Sequence, residues 1–370
     1  MAVNELYAQF HEIASSPRKQ LEKYLAEGKK VVAVAPVYTP QEIIHSMGLV
    51  PMGVWGSDIV IDGAKQYFPA FICAIMQTIL ELGMKGAYKG VSAIVIPSLC
   101  DSLKTLGQNW KYAVKDIPFI PMTYPQNRKP AYGVKFTKGS YQRVIDDLEK
   151  TTGAAFSDDA LKKSIKIYNE HNAVMREFAE LAAVKKISMA ERSDVFKSAW
   201  FMLPEEHTVL VKALISELKA TEDAKETGRV LVSGILADAP ELIKAIDKSG
   251  LKVVWDDVAA ETRQYVTDTP DCGSGLDSLA QKFSDMDNCS VLYDKDKKRV
   301  DNIIANAKKH NAKAVIVLMT KFCDPEEFDY VPIKKACEAA GLAHINIEVD
   351  RQMVNYEQAA TMIQAFSEML

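Results

Sequence analysis

Apolar and polar residues alternate between two regimes along this chain. Short runs rich in valine and isoleucine, at residues 30–36, 49–55, 91–96 and 117–120, are each followed by a pattern with helical spacing. Four more runs, at 230–234, 253–257, 314–319 and 343–348, repeat the arrangement near the other end. Runs of this length without polar interruption read as strands buried on both faces, and strand–helix alternation gives a parallel sheet covered by helices. An amphipathic helix is expected from the start to about Glu27. Thr39-Pro40-Gln41-Glu42 caps a helix that stops at Gly48. From about Lys138 to Lys219 the spacing is helical throughout. The fold class is therefore α/β, with two open Rossmann- or flavodoxin-like parallel-sheet domains joined by a helical segment. The expected divisions are residues 1–137 for the N-terminal helix and first α/β domain, 138–226 for the helical connector and 227–370 for the second α/β domain.

Two of the strand ends carry chemistry. Ile94-Val95-Ile96-Pro97-Ser98-Leu99-Cys100-Asp101 and Val315-Ile316-Val317-Leu318-Met319-Thr320-Lys321-Phe322-Cys323-Asp324 each deliver a cysteine at the carboxyl end of a strand, where α/β sheets bind ligands. The aspartate that follows is suited to N-cap the next helix, and Asp324-Pro325-Glu326-Glu327 has the proline and acids of a strong helix start. Cys73, within Pro69-Ala70-Phe71-Ile72-Cys73-Ala74, lies in the first turns of a third helix. A helix start favours thiolate over thiol, so Cys73, Cys100 and Cys323 form a candidate metal or cluster site between the two domains. Three protein ligands leave one position of a four-coordinate metal open, which suits chemistry or an exogenous ligand.

The remaining signals narrow the reading. Cys337 fits the apolar face of a helix and reads as structural. Cys289, before a short expected strand, and Cys272, in the turn-rich Pro270-Asp271-Cys272-Gly273-Ser274-Gly275 loop, read as inert. His11, His45, His171, His207, His310 and His344 show no ligand pairing at helical spacing and read as surface or capping groups. Asp294-Lys295-Asp296-Lys297-Lys298-Arg299 reads as a solvated charged turn. There is no Cys-x-x-Cys, P-loop, Gly-x-Gly-x-x-Gly or Gly-x-Ser-x-Gly motif. The 370 residues are 48% hydrophobic and 25% charged, with a net charge of −4, which matches a globular enzyme and gives no basic footprint for nucleic acid. With no apolar run near the ~18 residues of a membrane span and an acid where a signal peptide carries positive charge, the protein is expected in the cytoplasm, away from membranes.

Several segments together resemble the smaller (β) subunit of the 2-hydroxyacyl-CoA dehydratases of anaerobic bacteria, along nearly the whole chain. They are Pro51-Met52-Gly53-Val54-Trp55-Gly56, Pro69-Ala70-Phe71-Ile72-Cys73, Pro97-Ser98-Leu99-Cys100-Asp101-Ser102-Leu103, Gln108-Asn109-Trp110-Lys111, Tyr124-Pro125-Gln126-Asn127-Arg128, Ile167-Tyr168-Asn169-Glu170, Glu261-Thr262-Arg263-Gln264 and Lys321-Phe322-Cys323-Asp324-Pro325-Glu326-Glu327. The resemblance implies that Cys73, Cys100 and Cys323 ligate a [4Fe-4S] cluster whose fourth ligand is not a protein residue. It also implies a larger (α) subunit as partner, an ATP-dependent iron-sulfur activator as electron donor and a 2-hydroxyacyl-CoA substrate. The implied reaction is a hydro-lyase elimination through a ketyl radical, giving the (E)-2-enoyl-CoA. The C3 hydrogen of such a thioester is too weakly acidic for a side-chain base, whose help is typically about 10²–10⁴-fold, so the cofactor must supply the radical chemistry. Two other readings fit the same cysteines: a double-cubane-type iron-sulfur reductase, and a non-catalytic structural subunit.

Overall fold

Each of the eight apolar runs forms a strand. The computed structural model describes residues 2–225, 228–353 and 355–370, and the division expected between 226 and 227 lies outside them. In chain order the first part runs through helices α1 (Val3–Ser15) and α2 (Pro17–Ala26), β1 (Val31–Val34), α3 (Gln41–Ser46), β2 (Val50–Gly53), α4 (Ala74–Met84), β3 (Ala93–Pro97), α5 (Asp101–Ala113) and β4 (Phe119–Met122). Four helices follow: α6 (Ala131–Thr152), α7 (Asp158–Val184), α8 (Met189–Ser198) and α9 (Pro204–Leu218). The last part contains β5 (Arg229–Gly234), α10 (Pro240–Lys248), β6 (Lys252–Val258), α11 (Gly275–Asp285), α12 (Lys298–Lys309), β7 (Ala314–Thr320), α13 (Asp324–Ala339), β8 (Ala343–Val349) and α14 (Glu357–Ser367).

Both sheets are parallel and share one strand order, β2-β1-β3-β4 and β6-β5-β7-β8. The order reverses between β1 and β3 and again between β5 and β7, so each sheet has a switch point where a crevice opens at the carboxyl ends. Side chains alternate between faces along each strand. Val31, Ala33, Ile94 and Ile96 share a core with Val230, Val232, Ile316 and Leu318 of the other sheet. Their neighbours turn outward: Val32, Val34 and Val95 pack under α6 and α11, while Leu231, Val315 and Val317 pack under α12 and α13. Trp55, just beyond β2, stacks on Trp200 at 5.1 Å, and the Trp200 indole donates to the Ala260 carbonyl. Arg128, only 2% exposed, donates from the first half to the carbonyls of Met286 and Tyr293.

The structure departs from the sequence reading at several points, three of them away from the cysteines and the charge run. The opening helix is two helices, because Pro17 has no N–H with which to continue α1 and instead starts α2. No strand follows Cys289, where residues 289–292 form a turn closed by the Leu292 N–H on the Cys289 carbonyl. His171 and His207 are not surface or capping groups but are buried on the facing sides of α7 and α9, 5% and 0% exposed, with ring centroids 5.1 Å apart. His171 Nδ1 lies 2.9 Å from Thr208 Oγ1, and His207 Nε2 lies 3.0 Å from the Val195 carbonyl.

Burial pushes the His171 imidazole down to about 4, and burial together with the neighbouring His171 depresses His207 further. Between about 4 and the ordinary histidine value near 6.5 the unfolded chain therefore binds a proton that the native chain does not. Stability contributed by a neutral His171 is present above that window and falls as pH drops through it, by up to about 3 kcal/mol. Urea unfolding at a series of pH values should show a shallower loss between pH 7 and 4 in His171→Gln than in the unsubstituted chain.

Candidate cysteine site at the strand ends

Cys73, Cys100 and Cys323 each occupy the N-cap of a helix, those of α4, α5 and α13. This corrects the expectation that Asp101 and Asp324 cap: both are the first helical residue, and the cysteine before each has the non-helical backbone of a cap. No side-chain hydrogen bond closes any of the three caps. Backbone N–H groups of these first turns lie beside the thiols, those of Met76 and Ile75 at Cys73, Leu103 and Ser102 at Cys100, and Glu326 at Cys323. β3 delivers Cys100 and β7 delivers Cys323, both strands lying beside a switch point. Cys73 comes from the loop ahead of α4 and is 6% exposed.

The three thiols lie within electrostatic range of one another. Burial pushes Cys73 up to about 12, against the pull of the backbone N–H of Met76, and the nearby Cys100 adds to the rise. Burial also raises Cys100. Cys323 is pushed well up by burial, then by the Glu326 carboxylate and the Cys73 and Cys100 thiols. A coordinating metal reverses this logic, because a bound thiol is deprotonated outright. Among the described residues no three His, Cys, Asp or Glu side chains close around a single metal ion. The donor set is three sulfurs on three positive helix ends, which fits a larger anionic thiolate-bound group better than a compact mononuclear site.

A buried ion network supports Cys323 from below. Glu326, 1% exposed in the first turn of α13, accepts from Arg299 at 2.8 Å and from Ser290. Arg299 also reaches Asp257 at 2.9 Å, Asp329 at 3.1 Å and Ser233 at 3.0 Å. Arg263 pairs with Asp257 at 3.0 Å, lies 3.6 Å from Glu326 and donates to the Gly234 carbonyl at the end of β5. Burial alone would raise the Glu326 carboxyl, but Arg299 and Arg263 hold it below the usual range. Reading 294–299 as a solvated turn is thus wrong at Arg299, which is 2% exposed. A charge run carries no sign of which member turns inward, and the partners of Arg299 lie on β5, β6 and α13. Cys337 is fully buried as expected, Cys272 is exposed, and Cys289 is buried with its sulfur 3.4 Å from Arg263 Nη1.

Comparison with known proteins follows the same residues. The family described as "2-hydroxyglutaryl-CoA dehydratase, D-component" matches residues 36–370. The chain is 45% identical to the (R)-phenyllactyl-CoA dehydratase beta subunit of Clostridium sporogenes, over 99% of each chain. It is 40% identical to the lactoyl-CoA dehydratase subunit beta of Anaerotignum propionicum, over 100% of this chain and 99% of that one. Identity to the (R)-2-hydroxyglutaryl-CoA dehydratase, subunit beta, of Acidaminococcus fermentans is 38%, over the full length of both.

The network under Cys323 can be probed by stability alone. Arg299→Met strands three buried carboxylates beside one remaining guanidinium and Lys297, and it should lower unfolding stability by about 3–5 kcal/mol. Lys104→Met removes an ion pair to Asp101 that is open to water, and should cost less than about 1 kcal/mol in the same urea titration.

Proposed function

The chain belongs to the 2-hydroxyglutaryl-CoA dehydratase, D-component, family, and from that premise we propose that it is the β subunit of an (R)-2-hydroxyacyl-CoA dehydratase. In this reading Cys73, Cys100 and Cys323 hold a [4Fe-4S] cluster, and a non-protein ligand takes the fourth position. The observation that carries the reading is the placement of three N-cap cysteines from both halves of the chain within electrostatic range of one another. When bound, the cluster supplies one-electron transfer at low potential, which suits the radical elimination of water from a 2-hydroxyacyl thioester to the (E)-2-enoyl-CoA.

The chain's own residues provide the setting for that group. The starts of α4, α5 and α13 place partial positive charge beside the three sulfurs and offset the negative charge of thiolate ligation. Ile72, Ile75 and Ile96 keep the surroundings of Cys73 apolar and exclude water. Arg299, Arg263 and Ser290 fix the first turn of α13 through Glu326, and so fix the cap residue Cys323. The reading includes a larger α subunit as partner and an ATP-dependent iron-sulfur activator as electron donor. It leaves this subunit as the electron-relaying half of the enzyme.

Co-expression with the larger subunit, strictly anaerobic purification and assay of iron, sulfide and EPR test the assignment. Cys323→Ser should remove about four irons, one cubane's worth, per heterodimer and the corresponding EPR signal, with the assembly still intact by gel filtration. Unchanged iron in Cys323→Ser, Cys100→Ser and Cys73→Ser alike would reject the ligand set.

A further inference from the structure

A cavity of about 930 Å³ lies between the two halves of the chain, and none of the cysteines lines it. It is bounded by the turn from α1 into α2, by β2 and the segment after it, by α8 and by α10. Leu21 of α2, Ala33 of β1, Met52 of β2, Trp55, Trp200 and Phe201 form its apolar wall, each 9% exposed or less. Part of that wall is aromatic, since the stacked indoles of Trp55 and Trp200 meet Phe201, edge-on to Trp200 at 6.0 Å. The volume has room for about thirty waters, and it lies toward the upper end of the range of small-molecule sites, about 300–1,000 Å³. Apolar walls give those waters few hydrogen bonds, so an apolar body that displaces them is favoured.

The charged groups around the cavity select the rest of the occupant. All four carboxylates on its wall are already engaged. Asp194 meets His11 at 2.8 Å, and Asp238 meets Lys197 at 2.8 Å and Arg351 at 2.9 Å. Glu241 meets Lys244 at 3.4 Å, and Asp247 accepts from the Met189 and Ala190 amides at 2.7 and 3.2 Å. Cationic donors are left over. Lys248 of α10 is exposed and has no hydrogen-bond or ion-pair partner among the described residues. Arg18 of α2, with a side chain 44% exposed, gives Nε to Glu22 and Nη1 to the carbonyls of Ala87 and Lys89, which leaves Nη2 free. A carboxylate here would meet two accessible cations, whereas an ammonium would meet no unpaired acid.

We propose that this cavity binds an amphipathic organic carboxylate, with its apolar body against Trp55, Trp200 and Phe201 and its charged group beside Arg18 and Lys248. The site depends on neither the cluster nor the dehydratase reading, and its test uses no redox readout. Decanoate, decan-1-ol and decylammonium share one chain length and differ in head group. Below their solubility limits they serve as probes in titrations of the purified full-length chain, followed by tryptophan fluorescence and calorimetry.

Decanoate should bind and shift the emission of the wall indoles, and decylammonium should bind at least about tenfold more weakly. Lys248→Met and Arg18→Met should each weaken decanoate about threefold while leaving decan-1-ol unchanged. Ala190→Trp, which adds bulk at an exposed wall position, should weaken both by calorimetry with the circular-dichroism spectrum preserved. No binding of decanoate, equal affinity for decanoate and decylammonium, or undiminished decanoate affinity in both cation variants would each overturn the proposal. So would binding that is lost in the assembly with the larger subunit, which would assign the cavity to the subunit interface instead.

Discussion

Two buried guanidiniums, Arg263 and Arg299, join the end of the second sheet to the start of α13, and the placement of Cys323 depends on them. Arg299 spans Asp257 on β6 and both Glu326 and Asp329 on α13, while Arg263 ties Asp257 to the Gly234 carbonyl at the end of β5. With Lys297 on Asp329, three cations face three carboxylates, so the group is neutral as a whole although nearly every member is dry. Such a network adds little net stability over apolar packing, but breaking one member leaves an uncompensated charge. What it secures is direction. The first turn of α13 can sit in only one way that satisfies Glu326, and Cys323 is the residue before that turn.

The two halves use the same device around this anchor. In each sheet the order reverses beside the first strand, and the strand across the switch point, β3 or β7, leads straight into a cysteine that caps the next helix. A helix end placed there sets its first-turn amides beside the cysteine sulfur, and the N–H groups of Met76, Leu103 and Glu326 favour the thiolate form. The proposed cluster would then be held by both sheets at once. The elements that bring it together are also those that join the halves: the shared core, the Trp55–Trp200 stack and Arg128.

The inward face of the helical region has a different character. Arg192 of α8 pairs with Asp256 and Glu261, both buried, and burial raises the Glu261 carboxyl to about 7 despite the guanidinium. The same stretch sends Thr262 back onto Asp256 and Gln264 onto the Ala259 carbonyl. This turn therefore faces two ways. Arg263 points to the network under Cys323, while Gln264 and Tyr265 line a cavity of about 110 Å³ bounded also by the loop after β1, by α7 and by α11.

The sequence by itself determined the eight strands, their parallel pairing class and the three cysteines, because each rests on local information. A strand buried on both faces must be continuously apolar, and a helix start after a strand must show proline, acids or a cap within a few residues. Only the tertiary structure decided which residue caps, since cysteine at that position carries no propensity signal to set it above the neighbouring aspartate. It also decided the fate of Arg299, His171 and His207, whose partners lie on other elements. A polar residue is read as exposed until a distant group satisfies it. Burial of Arg299 needs Asp257, Glu326 and Asp329 to arrive from β6 and α13, and no spacing along the chain announces that meeting. The Tyr168 hydroxyl, which has no hydrogen-bond partner among the described residues, belongs to the same class, for a missing partner becomes visible only when the neighbours have been placed.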